Sequence, residues 1–540
     1  MLRSLRNSGR LMRAAWVLSR YDALFAIDAG TPPAPVKAAR AVAKLRQRFG
    51  GTARLQGSAM LLGSEGDRLG AALTELGPSY IKLGQFLATR PDLIEPALAR
   101  DLAKLQDKLP PFPANDARAI IAEEFGRPVD EIYDEFGDAI AAASIAQVHK
   151  ARVTGKDGPR EVAVKVLRPG IEARFAADLE AFFWVARLVD RAVPSARRLR
   201  PVEVVQTLAD SVLLEMDLRL EAAAISEMAE RTRGDTGFRT PAIDWERTSR
   251  RVMTLEWIGG IPIADRARLE AAGLDLKAVA KAVVGAFLTH AVREGYFHAD
   301  MHPGNLFVEA DGTPGGTLVA VDYGIMGRLT PKESRFLAEI LFGFVMRDYR
   351  RVAEVHFEAG YVPAGKSVDG FAQALRAIGE PILGRDAHEI SMARLLAQLF
   401  EVTGQFDMAT RPELIMLQKT MVVVEGVARD LDPDFNMWTT AEPVLRAWLE
   451  RRVGPEGRLE DAVRGAERMG RLVGDLPELL ETAERAARSI GGSAGAEGLR
   501  LHPDTARAIA EAQARQDAPT RAAMWVGAAA LVLIALAAVF

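Results

Sequence analysis

The chain has 540 residues, 49% of them hydrophobic and 26% charged, which are the proportions of a folded protein. A chain of this length is expected to form more than one structural unit. It contains no cysteine, which excludes disulfides, thiolate zinc sites and a cysteine nucleophile. The net charge of -3 combines many charges of both signs, so we expect no nucleic-acid partner.

The first twenty residues predict a basic amphipathic helix, which opens a segment that we assign to residues 1–50. The helix carries five arginines and no acidic residue. The apolar residues that fall on one helical face are Leu2, Leu5, Met12 and Trp16. The segment lacks the continuous apolar core of a signal peptide. Such a helix either docks on a membrane surface or packs on its own protein, and the sequence leaves both open.

Residues 51–135 predict a helical extension broken by proline and glycine. Pro78 is favourable at the start of a helix, and Pro91 ends one. In the stretch YIKLGQ, Lys82 and Gln85 are three positions apart and share one helix face.

From residue 138 to 170 the pattern changes to short β-branched runs. AQVHKARV and EVAVKVL are joined by the turn-forming TGKDGP, which predicts a β-hairpin or meander. Helical patterns follow to about residue 230, and RRVMTLEWIGGIPI returns to strand. Between Leu306 and Val321 two short strands flank two glycine-containing turns. Beyond Pro331 the pattern is almost entirely helical as far as residue 488.

The stretch GYFHADMHPGN, residues 295–305, carries the strongest chemical signal. Asp300 and Asn305 have the D-x-x-x-x-N spacing of kinase catalytic loops, in which the Asp positions or deprotonates the acceptor and the Asn holds a metal. In the following VDYG, Asp322 is the candidate second metal ligand, and Gly324 would let the backbone turn after it. Upstream, Lys165 lies between apolar strand neighbours, like the lysine that grips the α and β phosphates, and Glu221 is its candidate ion-pair partner.

A zinc or other metal cluster is the alternative interpretation of the same stretch. HADMH supplies two histidines and an aspartate, but a zinc site needs at least three well-spaced ligands and supporting hydrogen bonds around them. We therefore favour core or loop-bracing roles for His298 and His302.

An alanine-rich stretch stands where a kinase has its glycine-rich loop. AAASIAQV, residues 141–148, adds a Cβ atom at each position where glycine would allow close approach of the backbone. We expect a stiffer loop and an altered nucleotide pose. The candidate nucleotide-binding residues in it are Ala141, Ala142, Ala143 and Ser144.

The C-terminus predicts a membrane anchor. Residues 489–521 begin with the flexible SIGGSAGAEG, and residues 522–540 are uncharged and apolar, long enough for about 28 Å of helix. A buried C-terminal helix is the alternative. Arg515 and Arg521 precede the span, so the bulk of the chain is expected to face the cytoplasm from the inner membrane.

Together these motifs resemble the UbiB family of atypical, protein-kinase-like ATPases associated with ubiquinone biosynthesis. The resemblance covers roughly residues 70 to 450. The motifs that carry it are KLGQ, TRPDL, LQDKLPPFP, AAASIAQVH, LLEMDLRLEAA, FHADMHPGN, VDYG and EGVARDLDPDFNMW. Met301 and Tyr323 stand where the family more often has proline and phenylalanine, and we expect little consequence from either.

The resemblance implies an α+β, bilobal kinase-like fold with the helical extension lying over the active site. The implied boundaries are 136–258 for the N-lobe and 259–488 for the helical C-lobe with its extension. Lys82 and Gln85 would come from the extension, and Glu215 and Asp217 would meet Lys82. Glu256 to Ile258 would form the adenine-side hinge, and ATP or ADP with Mg2+ would be the cofactors.

The resemblance also implies a function, a membrane-anchored ATPase or atypical kinase that supports ubiquinone biosynthesis. Its expected partners are membrane lipids or polyprenyl-phenol intermediates and the biosynthetic enzymes, and the sequence permits a homodimer. Two alternatives stay open. One is a small-molecule phosphotransferase of the aminoglycoside or choline kinase type, and the other is a nucleotide-gated scaffold without catalysis.

Overall fold

The fold is described from a computed structural model. The structure describes residues 2–23, 64–88, 109–156, 158–192, 200–383, 404–408 and 412–453, with positions 94, 98, 101, 102, 105, 197 and 402. The predicted linker at 489–521 and the predicted anchor at 522–540 lie outside these residues. Within the described ranges, no helix is long and apolar enough to cross a membrane.

The chain divides into two units. One comprises residues 1–21 and 62–450, and the other comprises residues 22–61 and 451–540. Nearly all described residues belong to the first unit, which contains every element that follows except the last residues of the final helix.

Three helices form the N-terminal part of this unit. Their bounds are Leu2–Arg20 (α1), Glu65–Leu76 (α2) and Pro78–Ala88 (α3). Ser64 and Asp67 form a capping box at the start of α2. Gly77, with φ of 104°, ends α2 in a conformation that favours glycine, and Pro78 starts α3 as predicted. YIKLGQ therefore lies within a short helix, in which Lys82 and Gln85 share one face.

Helix α1 packs on its own protein by a small-residue face. Ala14 and Val17 are buried, whereas Met12 and Trp16 are 47% and 53% exposed. Ion pairs of Arg10 with Asp178 at 3.5 Å and of Arg20 with Glu75 at 2.6 Å hold the helix. The packed face is thus not the apolar face that Met12 and Trp16 define.

A four-stranded antiparallel sheet of order β1-β2-β3-β5 forms the smaller lobe. Its strands and the helices attached to it are α4 (Ala114–Phe125), β1 (Glu135–Ala142), β2 (Ala146–Gly155), β3 (Gly158–Leu167), α5 (Ile171–Ala192), α6 (Pro201–Glu215), α7 (Leu218–Arg231), β4 (Phe238–Arg239) and β5 (Val252–Glu256). Val162, Val164 and Val166 are fully buried on one face of β3, in a core that includes Ile121 of α4. Because side chains alternate along a strand, Lys165 is directed to the opposite face.

Short strands place the motif loops of the larger lobe. A second sheet has the order β4-β9-β8-β6, and β7 pairs with β10. The elements are β6 (Ile261–Pro262), α8 (Arg266–Ala271), α9 (Leu276–Thr289), β7 (Tyr296–His298), β8 (Leu306–Glu309), β9 (Thr317–Ala320) and β10 (Met326–Arg328). The two strands predicted between Leu306 and Val321 are confirmed as β8 and β9. HADMHPGN joins β7 to β8, and VDYG joins β9 to β10, so both loops run between the β7–β10 pair and the β8–β9 pair.

The remaining described elements are helices, as the sequence predicts. They are α10 (Pro331–Val345), α11 (Tyr349–Glu358), α12 (Val368–Leu383), α13 (Pro412–Leu431) and α14 (Met437–Val453). Helix α13 packs against α9 and reaches β10, which brings it beside the loop HADMHPGN.

Candidate active site

The predicted ion pair of Lys165 and Glu221 is confirmed. Lys165 Nζ lies 2.8 and 2.9 Å from the two carboxylate oxygens of Glu221, in the first turn of α7. The same nitrogen lies 3.0 Å from Oδ1 of Asp322. The side chains of Lys165 and Glu221 are only 13% and 9% exposed, whereas that of Asp322 is 49% exposed. Asp322 therefore leaves its carboxylate accessible where the two lobes meet at Lys165, which we call the cleft.

The charges of this cluster shift one another's pKa values. Burial opposes the charge on Lys165, but the carboxylates of Asp322 and Glu221 outweigh it and raise the pKa of Lys165 above its usual range. The charge of Lys165 holds the pKa of Asp322 well below its usual range, and Lys82 adds to this effect. Burial raises the pKa of Glu221. The cluster thus keeps a cation and an ionised Asp322 together near neutral pH.

Asp322 has a backbone conformation that is uncommon for a residue with a side chain. Its φ is 63°, in the left-handed region, so the turn that the sequence assigned to Gly324 falls on Asp322 itself. The preceding Val321 N–H donates to the carbonyl of Asn305 at 2.9 Å. The strained turn therefore lets the Asp322 carboxylate reach Lys165 while the residue before it is bonded to the backbone of Asn305.

The loop HADMHPGN brings Asp300 and Asn305 together. The Asn305 Nδ2 atom donates to the Asp300 carbonyl at 3.1 Å, and Asn305 is only 6% exposed. With Nδ2 committed to this bond, the amide oxygen of Asn305 is the atom available to a cation. The D-x-x-x-x-N spacing is the number of residues needed to close this loop.

The histidines of the loop brace it, as we favoured. Buried His298 accepts the Asp300 N–H on Nδ1 at 3.1 Å and, in the tautomer that this requires, donates from Nε2 to the Val321 carbonyl at 3.2 Å. Burial lowers the pKa of His298, which keeps it neutral in this role. His302 accepts the Gly304 N–H at 3.0 Å. His298 therefore ties the loop carrying Asp300 to the residue before Asp322.

The predicted contact between Lys82 and Glu215 is confirmed. Lys82 Nζ on α3 lies 2.6 Å from Oε2 of Glu215, the last residue of α6, and both side chains are about seven-eighths buried. The charge of Lys82 also helps to lower the pKa of Asp322. Gln85, one turn further along α3, is half-buried.

Asp217, which we expected to meet Lys82, binds Arg219. Its carboxylate accepts the Arg219 N–H at 3.1 Å as the N-cap of α7, and it pairs with the Arg219 guanidinium at 2.7 and 2.9 Å. The guanidinium lowers the pKa of Asp217. Asp217 thus fixes the start of the helix that carries Glu221.

Arg168 holds the alanine-rich loop closed. Ala141 and Ala142 pair with β2, and the Ala143 N–H donates to the Ala146 carbonyl at 2.8 Å, so Ser144 and Ile145 form a two-residue hairpin turn. Arg168 donates to the Ala143 carbonyl from Nε at 3.0 Å and from Nη2 at 2.8 Å. The Arg168 side chain therefore restrains this loop in addition to the alanine residues, from which we expected a stiff loop.

The Arg168 guanidinium also joins the loop to the segment KLPPFP. Its Nη2 atom donates to the Pro110 carbonyl at 2.9 Å. Two residues further along, the Phe112 N–H donates to Oε1 of buried Gln147 at 2.9 Å, and Nε2 of Gln147 donates to the Phe112 carbonyl at 3.2 Å. The family-typical KLPPFP is thereby fastened to the edge of the nucleotide loop.

The predicted hinge is occupied by an ion-pair network. Arg239 of β4 binds both carboxylate oxygens of Glu256 at 2.9 Å and also pairs with Glu309 of β8 at 2.6 Å. The Glu256 side chain is therefore committed to the protein and is not available to adenine. Ile258 is half-buried. A nucleotide base would meet backbone groups here.

Comparison with known proteins decides the family. A model of the ABC1 atypical kinase-like domain matches residues 104–356, and a model of the UbiB helical domain matches residues 375–436. The protein named "Probable protein kinase UbiB" of Marinobacter nauticus is 39% identical over 483 residues, which are 89% of this chain and 86% of that protein. This chain belongs to the UbiB family.

Two further proteins are similar to this chain. The protein of the same name in Aeromonas salmonicida is 41% identical over 426 residues, 79% of this chain and 78% of that protein. The solved Rv3197-erythromycin complex from Mycobacterium tuberculosis is 24% identical, with a TM-score of 0.42 over 73% of this chain and 98% of that chain. The chain is thus an α+β, kinase-like UbiB protein with an atypical kinase domain and a helical domain, and the kinase-like domain implies ATP binding.

The two departures from the UbiB pattern are both buried. Met301 and Tyr323 are each 1% exposed, so neither faces the cleft. The Tyr323 hydroxyl oxygen is buried without a hydrogen-bond partner in the described part of the chain. The extra hydroxyl therefore carries a desolvation cost that phenylalanine would not.

The residues present fit a magnesium nucleotide. The part of the chain that the structure describes has no group of three or more His, Asp or Glu residues placed to hold a metal by themselves. Asp322 and Asn305 would instead supply two hard oxygen ligands for a cation bound with the nucleotide. Mg2+ is commonly held by one or two protein oxygens together with substrate phosphates.

Sequence reasoning missed three basic residues of the site, namely Arg168, Arg239 and Lys419. Lys419 Nζ on α13 lies 3.7 Å from Oδ1 of Asp300. Arg168 follows the strand of Lys165 directly, which was an available signal. Arg239 and Lys419 lie in unremarkable local sequence, so only the fold brings them to the site.

Proposed function

We propose that this protein is a membrane-anchored, magnesium-dependent ATPase or atypical kinase that supports ubiquinone biosynthesis by acting on, or giving access to, polyprenyl-phenol lipid intermediates. The observation that carries the proposal is the position of Lys82. This residue belongs to the helical extension, pairs with Glu215 at 2.6 Å and acts electrostatically on Asp322. A phosphotransferase for small soluble acceptors would not need this extension.

The chemistry of the site is phosphoryl transfer. Bound Mg2+, held by Asn305 and Asp322, would neutralise charge on the phosphates. Lys165 binds phosphate oxygens, and Asp300 orients the acceptor oxygen and takes its proton. The bond between the acceptor oxygen and the γ-phosphorus forms as the bond to the β–γ bridging oxygen breaks, and its electron pair leaves with ADP. Water as acceptor gives an ATPase, and a hydroxyl of a lipid gives a kinase.

The helical extension favours a small or lipidic acceptor over a folded protein. Helix α3 packs against α5 and α6, and its Lys82 pairs with Glu215 and helps to lower the pKa of Asp322. A protein substrate would have to displace this helix and break a largely buried ion pair. We therefore assign the acceptor side to a lipid or to water.

Membrane attachment is supported from both ends of the sequence. Helix α1 presents Met12 and Trp16 to the outside together with exposed Arg13. An apolar helix face with basic neighbours suits the headgroup region of an anionic membrane. The uncharged run at 522–540 would supply a single span, with the kinase-like domain on the cytoplasmic side of the inner membrane. Partner enzymes of ubiquinone biosynthesis would meet their lipid substrates there.

Phosphate release by the full chain tests the proposal. Mg-ATP would be supplied with and without anionic vesicles and a phenolic isoprenoid mimic. We expect release that the vesicles and mimic increase, and that Asp322→Asn abolishes. Asp130→Asn, at a carboxylate that is 86% exposed outside the cleft, should leave release unchanged. Tight Mg-ATP binding without release under every condition would instead identify a scaffold.

A further inference from the structure

The catalytic loop lacks a cation of its own. Residues 298–305, HADMHPGN, contain no lysine or arginine. Charge that accumulates on a transferred phosphoryl group must be stabilised by cations or oriented donors. Two other lysines of the cleft in the described residues have different roles, since Lys165 pairs with Glu221 and Asp322 and serves the nucleotide phosphates in the proposed function, and Lys82 pairs with Glu215.

Lys419 lies beside the carboxylate of Asp300. Its Nζ atom is 3.7 Å from Oδ1 of Asp300, and Nε2 of His302 is 3.7 Å from Oδ2. Both separations exceed a direct hydrogen bond, so neither partner closes off the carboxylate. The side chains of Lys419 and Asp300 are 38% and 30% exposed, which leaves the ammonium accessible from the cleft.

The helix that carries Lys419 is fastened to the catalytic loop. Thr420, the next residue, is fully buried and donates from Oγ1 to the carbonyl of Ala299 at 2.9 Å. Leu417 and Val424 on the same helix are buried as well. The position of the Lys419 backbone is therefore set relative to Asp300 by one buried hydrogen bond and by packing, while its side chain stays free to adjust.

We propose that Lys419 is a catalytic residue that contacts the oxygens of the transferred γ-phosphoryl group and stabilises the charge they carry in the transition state. It supplies from the helical domain the cation that the loop HADMHPGN lacks. In the transfer step, the acceptor proton passes to Asp300, the leaving electron pair stays with ADP, and Lys419 keeps its proton throughout. The inference rests on the proposed function, because it assigns a role within phosphoryl transfer.

The geometry gives Lys419 a different signature from Lys165. Lys419 lies beside Asp300, at the acceptor end of the site, so it touches the γ-phosphoryl group and leaves ADP alone. Its removal should lower turnover and the affinity for ATP, with no effect on the affinity for ADP. If Lys419 only stabilised the fold, its removal would lower turnover, the affinity for ATP and the affinity for ADP together, along with the melting temperature.

The test compares Lys419→Met and Lys419→Arg in the full chain, with Lys281→Met as the control at an exposed lysine of α9. We expect Lys419→Met to lower kcat for phosphate release by at least about tenfold. Its Kd for Mg-ADP should stay within about twofold of wild type, and Lys419→Arg should recover part of the rate because it keeps the charge. Lys281→Met should behave as wild type.

Two results would overturn the assignment. One is an unchanged kcat in Lys419→Met. The other is a lower kcat in Lys419→Met that is accompanied by a weaker affinity for Mg-ADP and a lower melting temperature. If wild type releases no phosphate, the ATPase proposal fails, but Lys419 is still tested by binding. Lys419→Met must then weaken a non-hydrolysable Mg-ATP analogue and spare Mg-ADP, and equal affinities of wild type and variant for the analogue would refute the role.

Discussion

The Nζ atom of Lys82 lies 2.6 Å from Oε2 of Glu215, and this pair joins the helical extension to the kinase-like domain. The lysine also lowers the pKa of the metal-ligand candidate Asp322. Neither side chain is more than 14% exposed. The extension is thus electrostatically part of the site, and its contacts should control how the site binds nucleotide.

Replacing Lys82 by Met should weaken Mg-ATP binding by about tenfold. Glu215 would then hold an unpaired, largely buried negative charge, and its repulsion of the nucleotide phosphates is expected to cost about 1–2 kcal/mol. The Kd for Mg-ATP can be measured by isothermal titration calorimetry.

The double variant separates this charge effect from damage to the fold. Lys82→Met combined with Glu215→Gln should bind Mg-ATP nearly as wild type, because the stranded carboxylate is gone. A double variant as weak as Lys82→Met would show that Lys82 acts through its own contact with the nucleotide.

Arg168→Ala should loosen the alanine-rich loop. The Ala143 carbonyl would lose two charged donors, so amide exchange at residues 143–146 should become faster. The Kd for Mg-ATP should rise about fivefold, which corresponds to a binding free energy weaker by about 1 kcal/mol. Hydrogen exchange and titration calorimetry measure these effects. Arg152→Ala, on the same sheet, breaks an exposed pair with Glu135 and should change neither. Unaltered exchange at 143–146 in Arg168→Ala would count against the restraint.

Tyr323→Phe should leave the protein equally stable or raise its free energy of unfolding by about 1 kcal/mol. The hydroxyl that it removes is buried and has no partner in the described residues, so only a desolvation cost is lost. Urea unfolding measures the change. Tyr133→Phe is the matched control, since the Tyr133 hydroxyl bonds Thr254 Oγ1 at 2.7 Å in the core, and it should lose about 1 kcal/mol. A comparable loss in Tyr323→Phe would reveal an unseen partner such as a bound water.

Acid should destabilise the protein through its buried histidines. Burial lowers the pKa of His356 to about 4, and it lowers the pKa values of His149, His290 and His298 as well. The unfolded chain takes up protons below about pH 6.5 whereas folded His356 stays neutral until about pH 4, so stability falls as the pH falls between them. His356 alone should account for about 1.4 kcal/mol at about pH 5.5.

A single substitution isolates this contribution. His356→Gln keeps a donor for the Val352 carbonyl, which the imidazole Nδ1 reaches at 2.8 Å. The difference in unfolding free energy between about pH 7.5 and about pH 5.5 should shrink by about 1.3 kcal/mol relative to wild type. An unchanged difference would mean that His356 is protonated in the folded state.

The sequence predicted the parts of the site that local order and spacing determine. Lys165 alternates with buried valines on a strand, and Asp300 and Asn305 are separated by the length of one loop, so pattern alone places them. The partner of Lys165 followed from the order of the motifs. These predictions needed no knowledge of how distant elements pack.

Contacts that depend on side-chain direction or distant packing were not predictable. Glu215 and Asp217 are two residues apart at the junction of two helices, where Glu215 ends α6 and meets Lys82 while Asp217 caps α7 and binds Arg219. Lys419 is more than a hundred positions from Asp300, and no local pattern marks it. The backbone turn was assigned to Gly324, because glycine is the usual residue at a sharp turn, whereas the structure has the positive φ at Asp322.

The central claim is that Asp322 and Asn305 hold a magnesium nucleotide next to Lys165. An experimental structure of the full chain with Mg2+ and a non-hydrolysable ATP analogue tests it most directly. We predict a metal bound by the Asp322 carboxylate and the Asn305 amide oxygen, phosphates in contact with Lys165, and the γ-phosphate between Asp300 and Lys419. A nucleotide bound elsewhere, or bound here with a metal that neither Asp322 nor Asn305 contacts, would contradict the account.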